Sequence, residues 1–470
     1  MKPDINKQIF RAADRIKFFW VGLLLLTALM PWRMSQMLNT TPAQSVQERL
    51  ELLKLGRLHP RGRGTLFGRD GTPLVQTEEY AAEKGGKRWK RVYRLGESGS
   101  WLLGMASPDL GATGVEAQIA YLNSEKPPTT WLTGDSVIAT TPSPTCTLTI
   151  DPKLQRFAYD LLKNGGHKGI ILFARRDTGD VLVATAYPAF DPNRRLHDSA
   201  YRRALIHAGI RDSENPLAIP FSPGSAVKPF IWHAYRQRFG TWPGVGESCP
   251  GGATVCGHFY PCHHHPVMPF PDWETPLAES CNTVATHAGA RMTINDMMTI
   301  FGPTGFFDAQ VDGFSTPLGS LNEDAGSGPI AVGAGVNVTP VGLLTAAGVL
   351  LGDGTRIPLR LIDSIDGHRA ELLPRPRVLD PAVVAQEKSG LRAVVTRGTA
   401  YDALARQRLE NAPLFGKTGT TSVSGCFWFG APYPQSDVIG LVMLRGESGA
   451  DAAVLAARLY AYYDQHGRSL

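Results

Sequence analysis

The chain has 470 residues, of which 43% are hydrophobic and 19% charged, with a formal net charge of +6 at pH 7. This is an ordinary globular composition, which excludes wholesale disorder, and the length predicts more than one domain at roughly 100–200 residues each. The charge excess is modest and forms no basic patch interleaved with aromatic residues, so no nucleic-acid partner is predicted.

An uninterrupted apolar run extends from Phe18 to Trp32, behind a cationic N-terminal segment. A membrane-spanning helix needs about 20 apolar residues, and flanking residues lengthen this run enough to predict a transmembrane anchor at residues 18–37. Residues 1–17 are then a cytoplasmic tail, and the body of the chain lies outside the cytoplasm. A cleavable signal peptide is the alternative, but no clear small-x-small cleavage site follows the run.

The rest of the chain changes character at residue 147. Residues 38–146 are predicted to be a linker and a small α+β region. Residues 147–470 are predicted to be a larger α+β domain, because strands at both of its ends enclose a helical middle. The predicted elements are a hairpin (169–173 and 180–186), two late strands (427–429 and 438–444) and a final helix (450–463).

Three short motifs stand in order within the larger domain. They are Ser225-Ala226-Val227-Lys228, Ser280-Cys281-Asn282 and Lys417-Thr418-Gly419-Thr420. Each motif alone is weak, but this ordered set is the one known from β-lactamases and penicillin-interacting enzymes. The sequence therefore predicts nucleophilic serine catalysis.

The first motif supplies a nucleophile and a base. A serine hydroxyl is a poor nucleophile until a base removes its proton. Ser225 and Lys228 stand at i and i+3, on one face of a helix, so the amine is expected to reach the hydroxyl. The base must have a lowered pKa, and Lys417 is a nearby cation that would lower it.

The other motifs are expected to relay protons and bind substrate. Ser280 is placed to pass a proton between the two lysines, and Asn282 offers an amide to substrate amide groups. Gly419 lets substrate approach an edge strand closely, and Thr418 and Thr420 offer hydrogen bonds to a carboxylate.

These motifs and their surroundings resemble the class B penicillin-binding proteins, the monofunctional peptidoglycan D,D-transpeptidases. The resemblance covers about residues 147 to 445. Its further matches are Leu148–Asp151, Asp177–Ala184, Phe190–Asn193, Pro223–Ser225, Val338–Pro340 and Gly398–Ala400. It implies a transpeptidase domain of the penicillin-binding and serine β-lactamase-like fold, an antiparallel sheet flanked by helices, above a short pedestal-like N-terminal region.

The resemblance also implies roles for the motif residues. Ser225 would attack the D-alanyl-D-alanine end of a stem peptide, with Lys228 as general base. Ser280 and Asn282 would shape the cleft, while Lys417, with the two threonines of its motif, would bind the terminal carboxylate. The backbone amides of Ser225 and Thr420 would form the oxyanion hole.

The implied setting is the wall-facing side of a bacterial inner membrane. The partners would be peptidoglycan stem peptides, inhibitory β-lactams, the membrane itself and a membrane glycosyltransferase of the cell-wall machinery. No cofactor is expected, and the catalytic domain is expected in the periplasm on a single-pass anchor.

Two other functions compete with cross-linking. A carboxypeptidase or β-lactamase would let water resolve the acyl-enzyme. A non-catalytic scaffold or β-lactam sensor is the other alternative. The intact motif set disfavours a scaffold, and a sensor would carry a cytoplasmic signalling domain where only about 17 residues are expected.

A run rich in cysteine and histidine occupies residues 249–265. In an exported protein a disulfide is expected, with Cys249–Cys256 the first choice. Zinc is an alternative on the ligand types alone, but the run has no paired C-x-x-C, and no metal site is predicted. Free thiols and solvated loop histidines are the remaining alternative. Cys281 is interpreted as a small packing residue.

Overall fold

The structure is a computed structural model that describes residues 63–81, 87–122, 130–133, 136–139, 144–211, 214–264, 266, 269–312 and 316–467. The predicted cytoplasmic tail and the anchor at residues 18–37 lie outside these residues, so both stay predictions. None of the helices in the described ranges combines the length and hydropathy that a membrane crossing requires.

The strands, in chain order, are β1 Leu66–Phe67, β2 Pro73–Ala81, β3 Lys87–Tyr93, β4 Ala106–Ser107, β5 Gly111–Ala112, β6 Thr130–Thr133, β7 Ser136–Ala139, β8 Cys146–Leu148, β9 Gly169–Arg175, β10 Val181–Tyr187, β11 Gly252–Val255, β12 His258–Pro261, β13 Ser320–Leu321, β14 Val336–Asn337, β15 Ile362–Ile365, β16 His368–Arg369, β17 Phe415–Thr420, β18 Ser424–Ala431 and β19 Val438–Arg445. The helices are α1 Ser100–Leu103, α2 Gly114–Leu122, α3 Pro152–Gly165, α4 Pro192–His197, α5 Ser199–His207, α6 Lys228–Phe239, α7 Glu274–Ala278, α8 Asn282–Ala290, α9 Ile294–Thr304, α10 Ser327–Ile330, α11 Pro340–Leu351, α12 Pro381–Thr396, α13 Tyr401–Arg406 and α14 Gly449–His466. The part of the chain that the structure describes also has three 3₁₀ turns, at Gly96–Gly99, Gly224–Val227 and Glu323–Ala325.

The chain divides into two compact units. One comprises residues 1–57 and 128–140, and its described part is the β6–β7 hairpin. The other comprises residues 58–127 and 141–470 and holds every other element above.

A five-stranded antiparallel sheet in the order β10-β9-β19-β18-β17 forms the centre of the second unit. The predicted hairpin is β9–β10, and the two late strands are β18 and β19. Since β9 and β10 come early in the larger domain and β17 to β19 come near its end, the sheet is assembled from segments far apart in sequence.

Both faces of this sheet are buried, and strand alternation divides the side chains between two cores. Ile170, Leu172, Trp428 and Leu441 pack into one core together with the first turns of α6 and the apolar helix α11. The neighbouring positions, including Ile171, Phe173, Phe427, Phe429 and Val442, pack into the other core with α3 and α14. A sheet sandwiched this way presents its edge strand, β17, to a cleft.

A second sheet joins the N-terminal region to the larger domain. Its order is β16-β15-β8-β1-β2-β3, with β8 parallel to β1 and antiparallel to β15. The boundary predicted at residues 146 and 147 therefore falls inside β8.

A buried charge triad, Arg63, Arg91 and Glu116, lies in the N-terminal region. Glu116 is fully buried and its carboxylate accepts hydrogen bonds from both guanidinium groups, at 2.7 Å from Arg91 Nε. Burial acts to raise the pKa of Glu116, but the two arginines outweigh it and hold that pKa below its ordinary value. The Glu116 carboxylate is therefore ionised between two guanidinium groups.

Candidate active site

The nucleophile segment is a 3₁₀ turn that runs directly into helix α6. Pro229 stands in the first turn of the helix, where its missing N–H removes no intrahelical hydrogen bond. Gly224 has φ +52°, and a Cβ there would meet the carbonyl oxygen of Thr420 at 2.8 Å. Glycine thus lets the turn lie against β17, which leaves Ser225 partly exposed and Lys228 fully buried.

The second motif forms the junction between α7 and α8. Ser280 has φ +54°, an uncommon conformation for a residue with a side chain. Cys281 caps α8, its Sγ accepting the Val284 N–H at 3.5 Å. The junction points the Ser280 hydroxyl and the Asn282 amide towards the first motif.

The third motif lies on β17, the edge strand of the five-stranded sheet. A Cβ at Gly419 would lie 2.4 Å from the carbonyl oxygen of Pro223, so only glycine permits this approach to the nucleophile turn. The hydroxyl of Thr418 lies 2.5 Å from that of Thr399. All three motifs therefore converge, as the sequence predicts.

The lysine pair, Lys228 and Lys417, meets at one hydroxyl. Lys417 Nζ donates to Ser280 Oγ at 2.9 Å and to the Thr418 carbonyl at 2.8 Å. Lys228 Nζ lies 3.3 Å from the same Ser280 Oγ and donates to the Ser280 carbonyl at 2.5 Å and Asn282 Oδ1 at 2.7 Å. Among the described residues, neither amine has a carboxylate within 4.0 Å.

Burial without a carboxylate partner lowers the pKa of both lysines. Desolvation lowers the pKa of Lys228 to about 8, against an opposing contribution from neighbouring thiols. Desolvation and then the charge of Lys228 lower the pKa of Lys417 well below its ordinary value. Near neutral pH the pair therefore gives up a proton readily, which is what a general base requires.

One expected contact is not formed. The hydroxyl of Ser225 makes no hydrogen bond within the described part of the chain, and Lys228 binds the second motif instead. Catalytic hydrogen bonds are often long without substrate. In this structure the base is therefore held by the second motif and not by the nucleophile.

An open cleft of about 690 Å³ surrounds these groups and contains Ser225, Ser280, Asn282, Thr418 and Thr420. Its walls also include Tyr260, His263 and Thr399, whose contribution sequence reasoning missed. Thr399 stands inside one of the matching flanks, and the other two lie in the run rich in cysteine and histidine, so signals for all three were present.

The expected Cys249–Cys256 disulfide is wrong in this structure, where both are free thiols. The reason is the register of the β11–β12 hairpin, in which Gly252 pairs with Pro261 and Val255 with His258. Cys256 is therefore exposed at the turn, while Cys249 is brought to 3.6 Å from Cys262, Sγ to Sγ.

Cys281 also has more than a packing role. Its Sγ lies 3.8 Å from that of Cys262. A hydrogen bond between these thiols is the main cause that lowers the pKa of Cys262 and raises that of Cys281. Cys281 therefore contacts Cys262 as well as capping α8.

Comparison with known proteins agrees with this geometry. The model of the penicillin-binding protein transpeptidase domain matches residues 169–460. A probable peptidoglycan D,D-transpeptidase PbpC of Pseudomonas aeruginosa is 24% identical over 78% of this chain and 67% of its own length. The penicillin-binding protein PbpB of Mycolicibacterium smegmatis is 26% identical over 66% of this chain, which spans about half (52%) of that relative.

Solved structures share the fold. Penicillin-binding protein PBP2 of Pseudomonas aeruginosa, in complex with WCK 5153, has a TM-score of 0.70 at 22% identity, covering 87% of this chain and 98% of its own. Penicillin-binding protein A of M. tuberculosis, an imipenem acyl-enzyme complex, has a TM-score of 0.68 at 18% identity, covering 86% and 99%. The predicted α+β transpeptidase fold is confirmed. Because the family model covers more than half of the sequence, the chain belongs to the penicillin-binding protein transpeptidase family.

Proposed function

We propose that the chain is a serine D,D-transpeptidase that cross-links peptidoglycan stem peptides through an acyl-enzyme on Ser225. The observation that carries this proposal is the buried lysine pair joined by the Ser280 hydroxyl, which lines one cleft with the partly exposed Ser225. The names of the relatives support the same reaction, since two are called peptidoglycan D,D-transpeptidases.

The first half-reaction forms the acyl-enzyme. Neutral Lys228 accepts the Ser225 proton as Oγ attacks the carbonyl carbon of the penultimate D-alanine. The backbone amides of Ser225 and Thr420 stabilise the oxyanion. The peptide bond to the terminal D-alanine then breaks, and its nitrogen receives a proton through the Lys228 and Ser280 relay.

The second half-reaction transfers the acyl group. An amine of a neighbouring stem attacks the ester carbon, the bond to Ser225 Oγ breaks, and the proton returns to the serine. Lys417, Thr418 and Thr420 hold the donor carboxylate before its residue leaves, and Asn282 orients the stem amide. A β-lactam would acylate the same serine, but its leaving group would stay attached to the acyl group after the ring opens and would not diffuse away.

The setting is part of the proposal. The apolar run at residues 18–37 and the cationic tail before it support a single-pass anchor in the inner membrane, with the cleft in the periplasm. A membrane glycosyltransferase that supplies glycan strands is the partner such a transpeptidase would need.

Fluorescent penicillin labelling of the full chain tests the nucleophile. We expect a covalent adduct on the wild type and on Ser389→Ala, a serine of α12 outside the cleft, and none on Ser225→Ala. The adduct should map to the peptide that contains Ser225, and it should be lost only slowly. Labelling of Ser225→Ala at the wild-type level would overturn the assignment, and turnover within seconds would indicate a β-lactamase instead.

A further inference from the structure

Four metal-ligating side chains converge beside the second motif. Cys249, Cys262, Cys281 and His264 each offer one ligand atom, and these four atoms all lie within 4.8 Å of one another. Cys249 and Cys281 are fully buried, and the other two are partly buried. We call this set the cysteine–histidine cluster.

The spacing of the sulfurs fits a tetrahedral metal. With Zn–S bonds of about 2.3 Å, two thiolates on a tetrahedral Zn²⁺ stand about 3.8 Å apart. The observed Sγ–Sγ distances are 3.6 Å from Cys249 to Cys262 and 3.8 Å from Cys262 to Cys281.

Disulfide chemistry does not account for the arrangement. A disulfide joins two sulfurs at about 2.05 Å, so any pairing among these three would leave one thiol and the imidazole directed at the bridge. Cys256, whose thiol is exposed at the hairpin turn, is not part of the set.

Each sulfur also accepts a backbone N–H. The Asn282 N–H donates to Cys262 at 3.2 Å, the Gly251 N–H to Cys249 at 3.4 Å and the Val284 N–H to Cys281 at 3.5 Å. Such hydrogen bonds orient metal ligands and stabilise the thiolate form that binds a cation. Backbone N–H groups of the loop before β11 and of the N-terminus of α8 therefore both donate to the sulfurs.

We propose that Cys249, Cys262, His264 and Cys281 bind a structural Zn²⁺ that fastens the β11–β12 hairpin to the start of α8. Three thiolates and an imidazole form a complete tetrahedral set for zinc, with no position left for water, so the site is structural and not catalytic.

Both elements that the zinc would join, the β11–β12 hairpin and the start of α8, contribute residues to the cleft. Cys281 stands between Ser280 and Asn282, so a metal bond on it fixes the motif that contacts both lysines. The hairpin carries Tyr260 and leads into His263, and both line the cleft. The Pro261 carbonyl accepts a hydrogen bond from Asn282 Nδ2 at 2.6 Å, so the hairpin and the motif move together.

Metal analysis of the full chain, purified without chelator, tests the site. We expect about one Zn²⁺ per chain in the wild type and in Cys256→Ser, the matched control from the same hairpin. Cys262→Ser should lose most of the zinc. Zinc in Cys262→Ser at the wild-type level, or its loss from Cys256→Ser, would overturn the proposal.

Cobalt substitution keeps the test decisive even if Cys262→Ser fails to fold. Replacing the metal of the wild type with Co²⁺ should give the intense visible bands of tetrahedral cobalt together with thiolate charge transfer. A wild type that holds no zinc and gives no such bands, or whose unreduced peptides contain a disulfide between two cluster cysteines, contradicts the proposal. Penicillin labelling is scored separately, so failure of the metal site and failure of the proposed function remain distinguishable.

Discussion

Two regions of this molecule bury charge at similar depth and treat it in opposite ways. In the charge triad, Glu116 lies between two guanidinium groups, and its pKa is held low. In the cleft, the lysine pair shares one hydroxyl and lacks a carboxylate within ion-pair distance among the described residues, so burial lowers both amine pKa values. A buried carboxylate between opposite charges stays ionised, whereas a buried amine without a carboxylate partner gives up its proton more readily.

The largest effect is expected in the cleft, on removal of one amine of the lysine pair. Lys228→Met removes the amine while keeping much of the volume, and we expect the penicillin acylation rate to fall by about 10³-fold, within the usual range for a lost general base. Because the lost cation lacks a buried counter-charge, the free energy of unfolding should not fall in proportion. The measurement is stopped-flow acylation alongside urea unfolding.

Lys388→Met is the matched control for that change. Lys388 is a partly buried lysine of α12 outside the cleft, and desolvation also lowers its pKa. Its acylation rate should stay at the wild-type value. Equal losses of rate in both variants would mean that burial of a lysine, and not its position, is what matters.

The next largest effect is expected in the charge triad, on removal of its carboxylate. Glu116→Gln leaves two buried guanidinium groups without their counter-charge and should cost about 3–5 kcal/mol of unfolding free energy. Glu78→Gln removes a partly exposed partner of Lys90 and Arg94 and should cost at most about 1 kcal/mol. Urea titrations of both variants decide the point, and equal costs would show that the triad is not a distinct stabilising unit.

The pH dependence of that stability has a definite sign. Since the pKa of Glu116 is lowered on folding, its pairing stabilises the fold above the ordinary carboxyl value of 4.5 and is lost as acid protonates the group. The Gln variant should therefore lose less stability than the wild type between neutral and acidic pH.

The smallest effect sharpens the comparison by titration. With the pKa of Lys228 at about 8, the neutral amine becomes more abundant as pH rises, and the wild-type acylation rate should increase about fifty-fold between pH 6 and pH 8. Lys228→Met should show a flat profile over that range. A wild-type profile that falls with rising pH would contradict Lys228 as the base.

Local patterns predicted the parts of the fold that local physics determines. The sequence predicted the hairpin of β9 and β10, the late strands β18 and β19 and the final helix α14. The motif set predicted which side chains meet in the cleft, because its chemistry requires them together. The anchor at residues 18–37 stays a prediction.

What the sequence did not disclose depends on long-range register. Nothing in the segment Ile362–Ile365 signals that it pairs with Cys146–Leu148, since strand partners are chosen by tertiary packing. The disulfide was misassigned for the same reason, because spacing along the chain placed Cys256 near Cys249 whereas the hairpin places Cys262 there. The contact predicted between Ser225 and Lys228 is absent because the Lys228 amine donates its hydrogen bonds to the Ser280 carbonyl and to Asn282 instead.

The sheet that joins β1, β8 and β15 has a consequence for biosynthesis. Its N-terminal strands are made early, yet the strand that completes their partner β8 is not made until most of the chain has been synthesised. Contacts of such sequence separation form slowly, and open strand edges invite aggregation while they wait. A chain that still lacks β15 would therefore leave that edge of β8 open, and a fragment that ends at residue 147 would never cover it.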